Sequence, residues 1–95
     1  MLKIIDYKPL VGKGQLVGYV DVLLEKTGFI IRRIKRFSSD KGEWYHFHNF
    51  KDENEQWVPL NEYQDKAIQE QFFAAVKKEL KEFLDKNPTS EEIPF

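Results

Sequence analysis

The hydrophobic pattern of the chain changes its period once, at Pro59. Before Pro59, apolar residues form short runs rich in β-branched and aromatic side chains, separated by turns, which is typical of strands. After it, apolar residues recur every three or four positions, the spacing of an amphipathic helix. The sequence therefore predicts an α+β domain in which a four-stranded antiparallel sheet is followed by one long C-terminal helix.

The strand boundaries follow from Pro, Gly and polar turns. The predicted strands are Met1 to Lys8 (stopping at Pro9), Leu16 to Leu24 (LVGYVDVLL), Phe29 to Phe37 (FIIRRIKRF) and Trp44 to Phe50 (WYHFHNF). The turns between them are Val11 to Gln15, Glu25 to Gly28 and Ser38 to Gly42, and a charged loop, Lys51 to Gln56, follows the fourth strand. Asn61 is the predicted helix cap, with Gln64 as its capping-box partner. The helix is expected to end near Lys86, before Pro88.

A single helix can cover only one face of a four-stranded sheet. The other face must pair with a second subunit or bind something, so we expect a homodimer. We divide the chain into one folded domain, 1–87, and a flexible acidic tail, 88–95.

Composition excludes several classes of protein. The chain has 95 residues, a mean hydropathy of −0.60 and no Cys, so disulfides, thiolate metal sites and cysteine nucleophiles are excluded. Lys3, Asp6 and Lys8 interrupt the apolar start that a signal peptide needs, and no apolar run reaches about 20 residues. We expect a cytoplasmic protein without membrane partners.

Charge is distributed unevenly along the chain. Residues 1–51 hold ten Lys and Arg against five acids, while residues 52–95 hold five against eleven. Seven of the fourteen aromatic residues lie between Phe29 and Trp57, within the basic part or just after it. One stretch therefore combines cations with rings.

Rings mixed with cations on a sheet are suited to single-stranded nucleic acid, because bases stack on rings and Lys and Arg neutralise phosphates. Strict alternation places Phe29, Ile31, Arg33, Lys35 and Phe37 on one face of the third strand, and Ile30, Arg32, Ile34 and Arg36 on the other. On the fourth strand, Trp44, His46, His48 and Phe50 share a face. The predicted nucleic-acid-binding residues are Arg33, Lys35, Phe37, Trp44, His46 and His48, with Arg32 and Arg36 as alternates if the facing is reversed. The alternative interpretation is that the rings belong to the core and the cations are solvated strand residues.

Metal and catalytic sites have weaker support. His46 and His48 point to the same side of a strand, but a metal site needs a third ligand. Gly12-Lys13-Gly14 lacks the spacing of a phosphate-binding loop. We expect no enzyme activity, no metal and no cofactor.

The last five residues are Glu91, Glu92, Ile93, Pro94 and Phe95. A terminal Phe offers a ring and a carboxylate together to a basic pocket. The alternative is that Ile93 and Phe95 fold back onto the domain.

This tip resembles that of bacterial and phage single-stranded DNA-binding proteins, which end in acids followed by Ile-Pro-Phe. The resemblance implies that residues 91–95 recruit replication, recombination and repair proteins. It covers the tip alone, with fewer acids and a shorter linker than in that family.

The pattern from Gly18 to Leu80 resembles the stage V sporulation protein G family, whose members are small dimeric nucleic-acid-binding regulators. The order of four strands then a helix is also similar to coactivator and Whirly-type folds that bind unpaired strands on a sheet. The polar motif that follows the fourth strand in the sporulation family is not evident in Lys51 to Leu60.

The sequence thus predicts a single-stranded DNA-binding protein of a phage or mobile element, with a partner-recruiting tail. The alternatives are a small regulator of duplex DNA or RNA and a protein-interaction adaptor.

Overall fold

The computed structural model describes residues 1–86, which form a four-stranded antiparallel sheet, a separate two-stranded hairpin and one helix. The elements are β1 Leu2–Pro9, β2 Leu16–Leu24, β3 Phe29–Ser39, β4 Gly42–His46, β5 Asn49–Lys51, β6 Trp57–Pro59 and α1 Lys66–Lys86. The sheet order is β1-β2-β3-β4, and β5 pairs with β6. The predicted α+β class, with four antiparallel strands and one helix after them, is confirmed. The β5–β6 hairpin was not predicted.

The core lies between one face of the sheet and α1. Phe72, Val76 and Leu80 are the buried residues of the helix, and they recur every four positions because that spacing keeps one face inward. The sheet and the segment after β4 contribute the other buried side chains, which are Ile4, Val20, Val22, Ile31, Ile34, Tyr45 and Phe47. Each such aliphatic side chain contributes about 1.5–3 kcal/mol when it leaves water. We call the opposite sheet face the open face.

Two β-bulges lie next to Asp21. On β1, Ile5 is an extra residue between the paired Ile4 and Asp6. On β3, Arg32 and Arg33 together oppose Asp21, since Val20 pairs with Ile34 and Val22 with Ile31. A bulge adds one residue to one strand and increases the local twist.

The bulge in β3 overturns the strict alternation predicted for that strand. Ile31 and Ile34 are both buried against the helix although they are three positions apart. Arg32 and Arg33 are therefore both on the open face, and the side-chain parity reverses after them. Arg32 was predicted to lie on the face opposite Arg33, and that prediction is wrong.

The fourth strand is shorter than predicted. It ends at His46. Phe47 lies on the core side like Tyr45, with its ring centroid 4.8 Å from that of Phe73 and 5.6 Å from that of Phe72. The chain then leaves the sheet, and the Leu60 amide donates a hydrogen bond to the His48 carbonyl at 2.8 Å to start the hairpin. The prediction that His48 and Phe50 continue the strand of Trp44 and His46 is wrong.

The helix begins later than predicted. Asp65, not Asn61, is its cap, since the Asp65 carboxylate accepts a hydrogen bond from the Ala67 amide at 2.9 Å. The predicted partner Gln64 has no part in this cap, and Gln69 instead accepts a hydrogen bond from the Tyr63 amide at 3.0 Å. The helix continues to Lys86, the last described residue. No helix within residues 1–86 is long and apolar enough to span a membrane.

Candidate nucleic-acid interface

One row of polar side chains crosses all four strands of the open face. Lys8 pairs with Tyr19, Tyr19 with Lys35, and Lys35 with His46. Strand alternation keeps this row away from the core, because the neighbouring Val20 and Ile34 are fully buried on the helix side. Adjacent strands lie about 4.8 Å apart, so the row extends for about 14 Å.

A cluster of rings lies beside this row at the β3–β4 edge. Phe37 pairs directly with Trp44, and their rings are stacked with centroids 5.5 Å apart and an interplanar angle of 4°. The ring of His46 meets Phe37 edge-on at 5.4 Å. Trp44 remains 36% exposed, so part of its ring is open to a ligand. Three predicted binding residues thus form one contact group.

The predicted cations Arg33 and Lys35 border these rings. The guanidinium carbon of Arg33 lies 4.3 Å from the centroid of the Tyr19 ring, which is a cation–π contact. Lys35 Nζ donates a hydrogen bond to Asn49 Oδ1 at 2.8 Å. Within residues 1–86 neither cation forms an ion pair, so their charges are not neutralised by a carboxylate.

Arg32 differs from its neighbour because it is paired. Its Nη1 lies 3.3 Å from Asp21 Oδ2, while its side chain is 65% exposed. The second oxygen of Asp21 accepts a hydrogen bond from the Arg33 amide at 2.8 Å. Asp21 therefore stabilises the bulge and partly neutralises Arg32, whereas Arg33 and Lys35 have no ion pair with a carboxylate among residues 1–86.

His48 lies beside the same cations, in the short segment between β4 and β5. Burial lowers the pKa of its imidazole, and the positive charges of Arg33 and Lys35 lower it further. Its Nδ1 atom is buried and has no hydrogen-bond partner among residues 1–86. His48 therefore lies close to two of the predicted cations, but in the segment after β4 and not in the predicted fourth strand.

Arg36 does not belong to this surface. It lies on the helix side of β3, where it binds both carboxylate oxygens of Glu43, with Nη2 2.7 Å from Oε2, and donates to the Tyr7 hydroxyl at 2.9 Å. Burial opposes its charge, but the hydrogen bonds to Glu43 and Tyr7 outweigh burial and raise the pKa of Arg36. Arg36 thus lies on the face opposite Lys35, as the alternation predicted, and its charge is paired with Glu43 inside the fold. Its role as an alternate DNA ligand stays a prediction.

The two ends of the open face differ in chemistry. At one end Lys3, Leu23 and Ile30 are paired across β1, β2 and β3, and Ile30 is 40% exposed. Ile5, in the β1 bulge, is 38% exposed. At the other end are Tyr19, Arg33, Lys35, Phe37, Trp44 and His46, which we call the basic-aromatic patch. The open face thus has an apolar end and a cationic, ring-bearing end.

Sequence reasoning missed Tyr19, Lys8 and Asn49. The alternation of β2 around the buried Val20 was enough to place Tyr19 on the opposite face. The position of Lys8 beside Tyr19 depends on strand register, and the position of Asn49 beside Lys35 depends on the hairpin. A single sequence carries no local signal for either. Residues 1–86 contain no group of three or more His, Asp or Glu that could hold a metal ion. The predicted tail residues, 91–95, lie outside the described part of the chain.

Comparison with models of protein families found no family that matches this chain, and comparison with curated proteins found no relative. The resemblances noted from the sequence therefore stay predictions. The geometry of the open face carries the functional argument.

Proposed function

We propose that this protein binds single-stranded DNA on the basic-aromatic patch. The observation that carries the proposal is the continuity of rings and unneutralised cations on one sheet face. Phe37 contacts both Trp44 and His46, and Lys35 is the direct strand neighbour of His46. Bases would stack on the exposed rings while phosphates lie against Arg33 and Lys35.

The rings favour a single strand over a duplex. In a duplex the faces of the bases are already stacked on one another, so a partly exposed ring such as Trp44 gains little from it. An unpaired base can lie flat on that ring, which contributes about 1–3 kcal/mol per base. A surface built for a duplex would present cations to the backbone without needing exposed rings.

A second copy of the chain would complete the open face. Ile5, Leu23 and Ile30 form its apolar end, and burying such side chains is favourable. A homodimer through this end would leave the basic-aromatic patch free. The apolar end supports the proposed dimer, and sedimentation velocity tests it by measuring the mass in solution.

Recruitment of replication or recombination proteins through residues 91–95 is a further part of the proposal. Its support is the sequence Glu91-Glu92-Ile93-Pro94-Phe95, which combines acids with an apolar end. Removal of residues 89–95 is expected to leave DNA affinity equal or higher, because two acids are lost. A fall in DNA affinity on removal would contradict a tail that acts only on partners.

Fluorescence anisotropy of labelled oligo-dT and a matched duplex tests the binding proposal. We expect preference for oligo-dT and affinity that falls as salt rises, because bound phosphates release counterions. Lys35→Gln should weaken binding and reduce the salt slope by about one. Lys81→Gln removes the same charge from an exposed position of α1 and should change neither. Trp44→Ala should weaken binding by about 5- to 150-fold, the equivalent of one stacked base.

Two outcomes would overturn the proposal. Equal affinity for the duplex would favour the regulator of double-stranded nucleic acid. No binding of either probe at low salt would favour a protein-interaction adaptor whose open face is only an interface.

A further inference from the structure

The β5–β6 hairpin exposes a tryptophan that the core does not use. Trp57 is 64% exposed, more than Trp44, and lies on β6 directly opposite Lys51 of β5. Lys51 Nζ is 5.6 Å from the centroid of its ring. A ring and a cation are thus paired on the hairpin, the same combination as on the basic-aromatic patch.

This pair is connected to the patch through Asn49. The Asn49 side chain binds Lys35 Nζ at 2.8 Å, and Lys35 is the central cation of the patch. Asn49 and Lys51 are two positions apart on β5, so their side chains leave the same face of the hairpin. The rise of a strand puts Lys51 about 7 Å beyond Asn49. Trp57 is therefore within a few nucleotides of the patch.

The tip of the hairpin is closed by hydrogen bonds and is acidic. Asp52 Oδ1 accepts hydrogen bonds from the amides of Asn54 and Gln56, both at 2.9 Å, which fixes the turn. Asp52, Glu53 and Glu55 make the tip negative. A polyanion can approach Lys51 and Trp57 but is repelled beyond them. The tip limits how far along the hairpin a nucleic acid can bind.

We propose that Trp57 and Lys51 form a second base-stacking site, which extends the basic-aromatic patch along the hairpin. This inference rests on the proposed function. A short oligonucleotide occupies the rings at Trp44, and a longer one continues past Lys35 and Asn49 to stack a base on Trp57. The phosphate next to that base contacts Lys51.

Two variants with one tryptophan each test the inference, because the chain has only Trp44 and Trp57. Trp44→Phe leaves Trp57 as the fluorescent reporter, and Trp57→Phe leaves Trp44, while each change keeps an aromatic ring. Each variant is titrated with oligo-dT of about 4 and about 12 nucleotides, lengths that span common site sizes. We expect the short strand to quench Trp44 alone and the longer strand to quench both.

Binding by anisotropy provides the second measurement. Trp57→Ala should weaken binding of the longer strand about fivefold or more and leave the short strand unaffected, since one stacking contact is lost. Trp57 is exposed, so far-UV circular dichroism should show an unchanged fold. Lys51→Ala should likewise weaken binding of the longer strand alone. Lys78→Ala removes the same charge from an exposed helix position and is its control.

The outcomes separate the two proposals. Quenching of Trp44 without quenching of Trp57 at either length overturns the second site and leaves the proposed function standing. No quenching of either tryptophan and no change in anisotropy overturns the proposed function itself.

Discussion

At the residue scale, Arg33 combines backbone strain with a charge on the open face. Its φ is 60°, the left-handed region that side chains other than glycine disfavour. Its amide is held by Asp21, and its guanidinium rests on Tyr19. Strained residues of this kind gather where a fold positions functional side chains. A glycine would suit this backbone better but would carry no charge.

Arg33→Gly and Arg33→Ala should therefore differ in free energy of unfolding but have the same affinity for oligo-dT. Both remove the cation and the contact with Tyr19. Only glycine relieves the left-handed strain, so Arg33→Gly should be more stable than Arg33→Ala by about 0.5–1 kcal/mol. Urea unfolding measures the difference, and oligo-dT affinity should fall equally in both variants. Equal unfolding free energies for the two variants would contradict the strain.

At the element scale, one polar network joins β1, β3 and β4 across β2. The Tyr7 ring lies over Gly18 of β2, so its hydroxyl can accept a hydrogen bond from Arg36 on β3. Arg36 in turn binds Glu43 on β4. Strands that are not adjacent are thereby coupled, and the coupling requires the missing side chain at position 18.

Gly18→Ala should be strongly destabilising. A Cβ at this position would lie 2.4 Å from the Tyr7 hydroxyl oxygen and 2.5–2.6 Å from two carbons of its ring, so the ring would have to move and Arg36 would lose a partner. We expect a loss of about 2 kcal/mol, the usual effect of overpacking. The measurement is a double-mutant cycle by urea unfolding with Tyr7→Ala. In the Tyr7→Ala variant, Gly18→Ala should lower the free energy of unfolding much less. If the losses of the two single variants simply add in the double variant, no clash with Tyr7 exists.

At the scale of the whole molecule, two titrating groups make the fold sensitive to acid. Burial, together with Arg33 and Lys35, lowers the pKa of His48. The hydrogen bond from Arg36 lowers the pKa of Glu43. Both groups bind protons more readily in the unfolded chain than in the folded one. Stability therefore rises with pH through each titration and falls as the solution becomes acidic.

Stability should fall in two stages as the pH is lowered. The first stage begins below about 6.5, where His48 of the unfolded chain gains a proton, and the second below about 4.3, where Glu43 does. Thermal or urea unfolding between pH 7.5 and pH 3.5 or so covers both windows. His48→Gln should remove the first stage and keep the second. If the first stage persists in His48→Gln, another titrating group must cause it.

Several features of this protein were determined by its sequence alone. The change of period at Pro59 was enough to predict a sheet followed by a helix, because side-chain periodicity is a local property. The turn Glu25 to Gly28 was also readable, and the structure closes it with a hydrogen bond from the Gly28 amide to the Leu24 carbonyl at 2.8 Å. The cations and rings of the patch, except Tyr19, were identified by residue type.

Tertiary structure alone decided which of those residues lie together. The bulge opposite Asp21 places Arg32 and Arg33 on the same face, and local propensity does not encode it, because it depends on how β3 pairs with β2. Phe47 packs against Phe72 and Phe73 just after β4, and the chain beyond it pairs β5 with β6 in the hairpin that carries Trp57. Arg36 is kept from the open face because it is paired with Tyr7, which is 29 positions away in the chain, and with Glu43 on the neighbouring strand β4. Each of these outcomes depends on contacts between residues far apart in the chain, and such contacts leave no periodic signal in a single sequence.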